Sequence, residues 1–409
     1  MTGYPDSRKP SVAFLSTADV GQWTAGIHYL KNLFLAMRSL NNEHRPEIVL
    51  LGRYNSADGE SSLSGCADRM IEVPQVQCDP GFWQRQRIRI EKKLGVWHEP
   101  EPPLAAYLRQ QHVDVLFASA EFGIQFRVPL LSWIPDFQHL HLPEFFSEGE
   151  IKNRNLHFSR MAKHATRVIL SSHQAQLDFE KFAPEWAYKV RVLPFVAQIP
   201  QDAYDSDPTW VCGKYNLPRR FVYLPNQFWR HKNHGLVIRA LALVKARFPH
   251  VVVVCTGNTN EYRAADYFSK FLATISELGV RENIIILGML PHSHTFQLMR
   301  QSLAILQPSL FEGWSTTVEE AKSVGKAVIM SDLAVHREQN PPSATLFDPQ
   351  DPQALATCLI NVFQEQPEGP DITLEAQARE NLPARTLKYG QRFLKIVQEV
   401  LDRGLKYEA

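Results

Sequence analysis

The sequence predicts an α/β protein of two doubly wound, Rossmann-like domains whose ligand loops face each other across a cleft. Three observations predict it. Short apolar runs alternate with amphipathic helical stretches along the chain, the pattern of parallel strands joined by crossover helices. A length of 409 residues exceeds what one compact core organises. A polar stretch, residues 198–218, carries Pro200, Pro208 and Pro218 and separates two such series as a linker or hinge.

In the first series the expected strands are residues 11–16, 47–51, 113–118, 130–134, 167–170 and 190–193. The second series runs through 221–224, 251–255, 284–287, 304–306 and 327–330, and a final amphipathic helix covers 387–401. Parallel strands place their loops together at one edge, so two such domains can present binding loops to each other. No G-x-G-x-x-G follows any strand, which argues against a redox dinucleotide.

Composition narrows the class. A net charge of +1 gives no basic surface for a phosphate backbone, so no nucleic-acid partner is expected. Five cysteines without a CxxC do not make a disulfide framework. The apolar run at residues 12–15 reads as one strand and not as a signal peptide, and no run is long enough to span a bilayer. The expected location is the cytoplasm, with at most a peripheral place at the inner membrane face.

The most informative stretch is Phe311-Glu312-Gly313-Trp314-Ser315-Thr316-Thr317-Val318-Glu319-Glu320. It lies between an apolar strand and a helix, where free N–H groups and the helix dipole favour an anion. Glu312 falls in the loop, within reach of a ligand, and Glu320 about one helical turn in, where it can accept from a pair of hydroxyls. Phosphate on the amides with hydroxyls on the acids describes a nucleotide-sugar. The ordinary alternative is a helix start with Ser315 or Thr316 as N-cap and Glu319 completing a capping box.

A second element follows the first strand of the second series: Pro225-Asn226-Gln227-Phe228-Trp229-Arg230-His231-Lys232-Asn233-His234. Arg230 and Lys232 stand between strand and helix, suited to a diphosphate that Arg engages bidentately and Lys as a point charge. In the first series, Gly21 to Gly26 opens a helix, and Asp136 sits in the loop after residues 130–134. His139-x-His141 and His292-x-His294 have no matching ligand pair nearby, and no metal site is expected. Residues 81–97 are basic and amphipathic, with Phe82, Trp83 and Trp97 at the ends; they suit either an anionic membrane surface or a solvated helix.

The Glu312–Glu320 stretch, with Pro308-Ser309 before it and Gly325, Ser331-Asp332 and Glu338 beyond, resembles the Glu-x7-Glu motif of retaining GT-B glycosyltransferases. In particular it resembles glycosyltransferase family 4 (glycosyl transferases group 1). The resemblance implies a GT-B fold: residues 1–200 on the acceptor side, 201–385 binding the donor, and 386–409 a helix returning to the first domain. It implies transfer of a sugar from a nucleoside-diphosphate sugar to an acceptor hydroxyl with retention, in polysaccharide or glycolipid assembly, with mannosyl transfer the leading guess. The acceptor would be a glycan or lipid-linked glycan. Neither a cofactor nor a catalytic metal is implied; the nucleotide-sugar is a co-substrate.

By the same resemblance Lys232 and Arg230 meet the diphosphate, Glu312 the donor sugar and Glu320 the ribose. Asn226, Gly313, Trp314, Ser315, Thr316, Thr317 and Gly26 line the donor, and Met289, in Gly288-Met289-Leu290, lies where the base is held. Asp136 belongs to the cleft floor. Departures are Gln227 near a usual Arg, Ala25 and Ser315 at usual glycines, and Pro135 at a frequent His. Trp314 suits packing as well as a sugar platform. Two further readings are a non-catalytic nucleotide-sugar-binding protein and a GT-B-fold sugar-nucleotide epimerase.

Overall fold

The computed structural model describes residues 8–15, 24–52, 63–72 and 103–404. Two parallel sheets organise them. The first joins β1 (Ser11–Leu15), β2 (Glu47–Gly52), β3 (Arg69–Glu72), β4 (Val115–Ala118), β5 (Leu130–Trp133), β6 (Arg167–Leu170) and β7 (Val190–Val192) in the order β3-β2-β1-β4-β5-β6-β7. The second joins β8 (Val222–Pro225), β9 (Val253–Thr256), β10 (Ile284–Ile286), β11 (Ile305–Gln307), β12 (Val328–Ser331) and β13 (Ala344–Phe347) in the order β10-β9-β8-β11-β12-β13. Central strands such as β4, β5 and β12 are buried along their whole length, as a sheet covered on both faces requires.

The helices of the first domain are α1 (Thr24–Arg38), α2 (Pro103–Gln110), α3 (Gln138–His141), α4 (Glu148–His164) and α5 (His173–Phe182). Next come α6 (Asp202–Asp205) and α7 (Trp210–Tyr215), then α8 (His234–Val244), α9 (Tyr267–Glu277), α10 (His292–Gln301), α11 (Thr316–Val324), α12 (Ala334–Gln339), α13 (Pro352–Glu365) and α14 (Ile372–Gly404). In each sheet the winding direction reverses once, between β1 and β4 and between β8 and β11. Loops diverge at such a point and leave a crevice at the strand C-termini.

Two expectations need correction. Residues 198–218 do not run as an open linker: Ala203, Tyr204, Val211 and Leu217 are buried in the second domain's core. Arg300 Nη1 donates to the carbonyls of Ala203 and Ser206, both at 2.6 Å, which fixes the segment's path. The last helix begins at Ile372, not near 387, and continues through Pro383 for 33 residues.

That helix serves both domains. Near its start it crosses α11 so closely that a Cβ on Gly325 would lie 2.4 Å from the Leu374 carbonyl oxygen. Further on, Tyr389, Phe393, Ile396, Val397, Val400 and Leu401 enter the core formed by α1 and the first sheet. Gly390 permits that approach, since a Cβ there would meet the Ala36 carbonyl oxygen at 2.3 Å. Glu399 then accepts from buried Arg167 (Nη2, 2.6 Å) and from Arg191 (Nε, 2.7 Å). Among the described residues, no helix is long and apolar enough to cross a membrane.

Candidate active site

The loops after β8 and β11, which flank the second sheet's crevice, carry the principal charges. After β8 the chain makes a single turn, Arg230–Lys232, ended by Asn233 in the left-handed conformation (φ 57°). Asn233 Nδ2 donates to the Pro308 and Pro349 carbonyls (3.1 and 2.9 Å), tying this turn to the β11 loop. Lys232 Nζ then reaches Glu312 Oε1 at 2.6 Å. Burial alone would raise the Glu312 pKa, but the Lys232 charge and hydrogen bonds from Lys232 and Ser309 hold it below the usual carboxylate range. Glu312 is therefore ionised. His231 is neutral, because burial and the Lys232 charge push it down to about 3.

A buried polar chain supports the pair. Gln307, the last residue of β11, donates through Nε2 to Glu312 Oε1 (2.7 Å) and to Ser309 Oγ (3.0 Å). Its Oε1 accepts from Asn226 Nδ2 at 2.7 Å, and Thr317 Oγ1 donates to Asn226 Oδ1 at 3.5 Å. Buried amides of this kind need every partner, so the network fixes the Glu312 carboxylate in place. Gln307 was not among the expected residues. A polar side chain closing an apolar strand was the available signal.

The helix α11 opens at this point, and its first-turn N–H groups face outward from the helix end. Ser315 is the N-cap, accepting from Val318 N (3.3 Å), with its own N–H bonded to Gln339 Oε1 (3.1 Å). It is 1% exposed, and its hydroxyl serves the helix as the N-cap that the alternative reading of this stretch names. Thr316 starts the helix and is half-buried, while Thr317 is buried. Glu320, one turn in, accepts from His292 Nε2 at 2.8 Å. His292 is exposed at the start of α10, and its ring lies 4.5 Å from that of His28 on α1 of the first domain. Burial, and then the neighbouring His292, hold the His28 imidazole below its ordinary value.

Other expected site residues are directed at the domain boundary. Arg230 Nη2 donates to the Phe145 carbonyl at 2.9 Å and its guanidinium stacks 4.6 Å from the Phe145 ring. Asp136 Oδ1 accepts from Arg154 Nη2 and from Gln138 N, each at 2.9 Å. Trp314 Nε1 donates to the Phe195 carbonyl at 3.1 Å, and its ring packs on the first domain's core; it is a packing residue here. A Cβ on Gly313 would stand 2.3 Å from the Pro135 carbonyl oxygen, so glycine is what allows the two loops to meet. Met289 is 61% exposed after β10, and Gly26 is buried in the first turn of α1. Residues 21–23 and 81–97 lie outside the described residues.

The paired histidines separate. His139 Nε2 meets Asn155 Oδ1 and His141 Nε2 meets Asp178 Oδ2, both at 2.9 Å. The His141 ring lies 4.9 Å from that of Phe311, beside Glu312. Glu338 also crosses the boundary: its carboxylate accepts from His173 N at 2.9 and 3.0 Å, at the N-terminus of α5.

Comparison with known proteins agrees with this geometry. Among curated proteins, an uncharacterized glycosyltransferase, MJ1059, of Methanocaldococcus jannaschii is 22% identical over 172 residues. That match spans 42% of this chain and about two fifths (40%) of the relative's length. Among solved structures, Anabaena Alr3699/HepE in complex with UDP and glucose has a TM-score of 0.63 at 20% identity, over 96% of this chain and 99% of that one. Sucrose-phosphate synthase from Thermosynechococcus elongatus has a TM-score of 0.59 at 16% identity, over 98% of each chain. The two facing Rossmann-like domains are the GT-B fold, and residues 214–381, which carry Lys232, Glu312 and Glu320, match the family model of glycosyl transferases group 1.

Proposed function

We propose that this protein transfers a hexose from a nucleoside-diphosphate sugar to an acceptor hydroxyl, with retention at the anomeric carbon. The observation that carries the reading is the Lys232–Glu312 pair, half-buried at the β8/β11 crevice beside the start of α11. On donor binding the pair exchanges partners. Lys232 and the helix N-terminus take the diphosphate, while Glu312 accepts from donor-sugar hydroxyls, so neither charge is left unpaired. Glu320 accepts from the ribose.

In the transfer step the bond from the anomeric carbon to the diphosphate oxygen breaks, and its electron pair stays on the diphosphate beside Lys232. The acceptor oxygen bonds the anomeric carbon on the same face, and its proton passes to the departing diphosphate oxygen. A glycan or lipid-linked glycan at a membrane surface is the acceptor we favour, with mannosyl transfer in polysaccharide or glycolipid assembly. The HepE complex with UDP-glucose makes a UDP-hexose the first donor to try alongside GDP-mannose.

The test is incubation with a panel of UDP-, GDP- and ADP-sugars. Slow donor hydrolysis, and an NMR-assigned product with the donor's anomeric configuration, support the reading. Binding without turnover for every donor would instead favour a nucleotide-sugar-binding protein, a reading to which the engagement of Arg230 and Asp136 within the protein lends weight.

A further inference from the structure

Arg230 engages the first domain at Phe145, and what it meets there is a built element. The corner Pro143–Phe145, followed by Phe146, leads into α4 through a capping box. Ser147 N and Oγ donate to Glu150 Oε2 at 2.9 and 2.8 Å, and Glu150 N donates back to Ser147 Oγ at 3.3 Å. The corner therefore holds a fixed shape and presents two phenyl rings to the second domain.

Two guanidinium groups from the second domain lie on those rings. Arg230 covers Phe145, as described, and Arg263 lies 4.2 Å from the centroid of Phe146 while its Nε donates to Glu150 Oε1 at 3.3 Å. A carboxylate joins the two arginine loops: Glu261 Oε2 accepts from Arg230 N at 2.7 Å. On the first domain's side, Arg154 lies 5.3 Å from the same Phe146 ring and holds Asp136, the residue against which Gly313 packs. The contact is thus continuous from the corner to the loop of Glu312.

We infer that the Phe145–Phe146 corner is a catch by which the second domain holds the cleft closed, with Arg263 as its chief positioning residue. Arg230 belongs to the same turn as Lys232, so seating the catch and placing Lys232 are one movement. The importance of the catch for sugar transfer rests on the function proposed above; the catch itself does not.

Its test needs neither donor nor acceptor. Electron–electron double resonance between nitroxides at exposed Ile124 and Leu243 reads the interdomain distance in the ligand-free protein, and small-angle scattering reads its overall size. Arg263→Ala is expected to lower the closed-to-open equilibrium constant roughly two- to thirtyfold, the range from an exposed to a desolvated cation–π contact. Glu150→Gln, which keeps a capping-box side chain but loses the charge, is expected to shift it less, in the same direction. An unchanged distance distribution in folded Arg263→Ala overturns the inference. Should that variant fail to fold, an unchanged distribution in Glu150→Gln overturns it equally.

Discussion

Lys232 Nζ lies 2.6 Å from Glu312 Oε1, an ion pair whose side chains are only 16% and 9% exposed. Removing one member leaves the other largely out of water without its partner, which costs up to about 3–5 kcal/mol. Lys232→Ala is therefore expected to lower stability as well as to abolish transfer. Nucleoside-diphosphate affinity should fall about ten- to hundredfold. Denaturant unfolding and calorimetry check the two effects separately; wild-type affinity in the folded variant would refute the phosphate role.

The two acids should divide the donor between them. Glu320→Ala is expected to weaken both free nucleotide and intact donor by about 1.5–3 kcal/mol, as loss of a charged hydrogen-bond acceptor does. Glu312→Ala should spare free nucleotide and lose the donor sugar. Titration of each variant with UDP and UDP-glucose decides, and equal losses for both ligands in both variants would end the assignment.

Gly313 sets how near the loops come. Gly313→Ala pushes a methyl into the Pro135 carbonyl, and the domains must separate to admit it. A displacement near an ångström at reacting groups costs about a hundredfold in rate. Turnover of a working donor should fall by that order while the melting temperature stays close to wild type; an unaltered rate would show that the closed contact is not the reacting geometry.

Acid should loosen the last helix from the first domain. Hydrogen bonds from Arg191, opposed by burial and joined by those from Arg167, lower the Glu399 pKa to about 2. Because the folded value is depressed, this stabilisation is full above the ordinary carboxylate range and disappears as pH falls toward 2. Glu399→Gln should cost roughly 1–3 kcal/mol at pH 7, since it weakens the acceptor for buried Arg167, and almost nothing near pH 2. Unfolding curves at several pH values check the convergence.

Much of the architecture was legible because buried parallel strands are nearly continuous apolar runs. The strands that escaped are edge strands: β3 buries only Ile71 and β13 only Phe347, so neither has an apolar run to notice. The expected final helix covers 387–401, yet α14 starts at Ile372 and continues through Pro383. The placement of Lys232 and Glu312 in loops and of Glu320 in the first turns of a helix was readable because strand, loop and helix N-terminus are local patterns. The partners of Arg230 and Trp314 were not, since each lies in a segment remote in sequence across the domain boundary. Spacing carries no record of such contacts.

The return of α14 has a consequence for biosynthesis. Tyr389 through Leu401 complete the core around β1 and α1, elements synthesised well before them. The first domain can form its sheet early, but its α1 face stays uncovered until the second domain has been translated. An N-terminal fragment ending before residue 372 would expose Phe14, Phe34 and Phe117 to whatever chaperone or neighbouring chain is at hand. The order of synthesis and the order of completion are therefore reversed in this protein, and the domain made first is the one finished last.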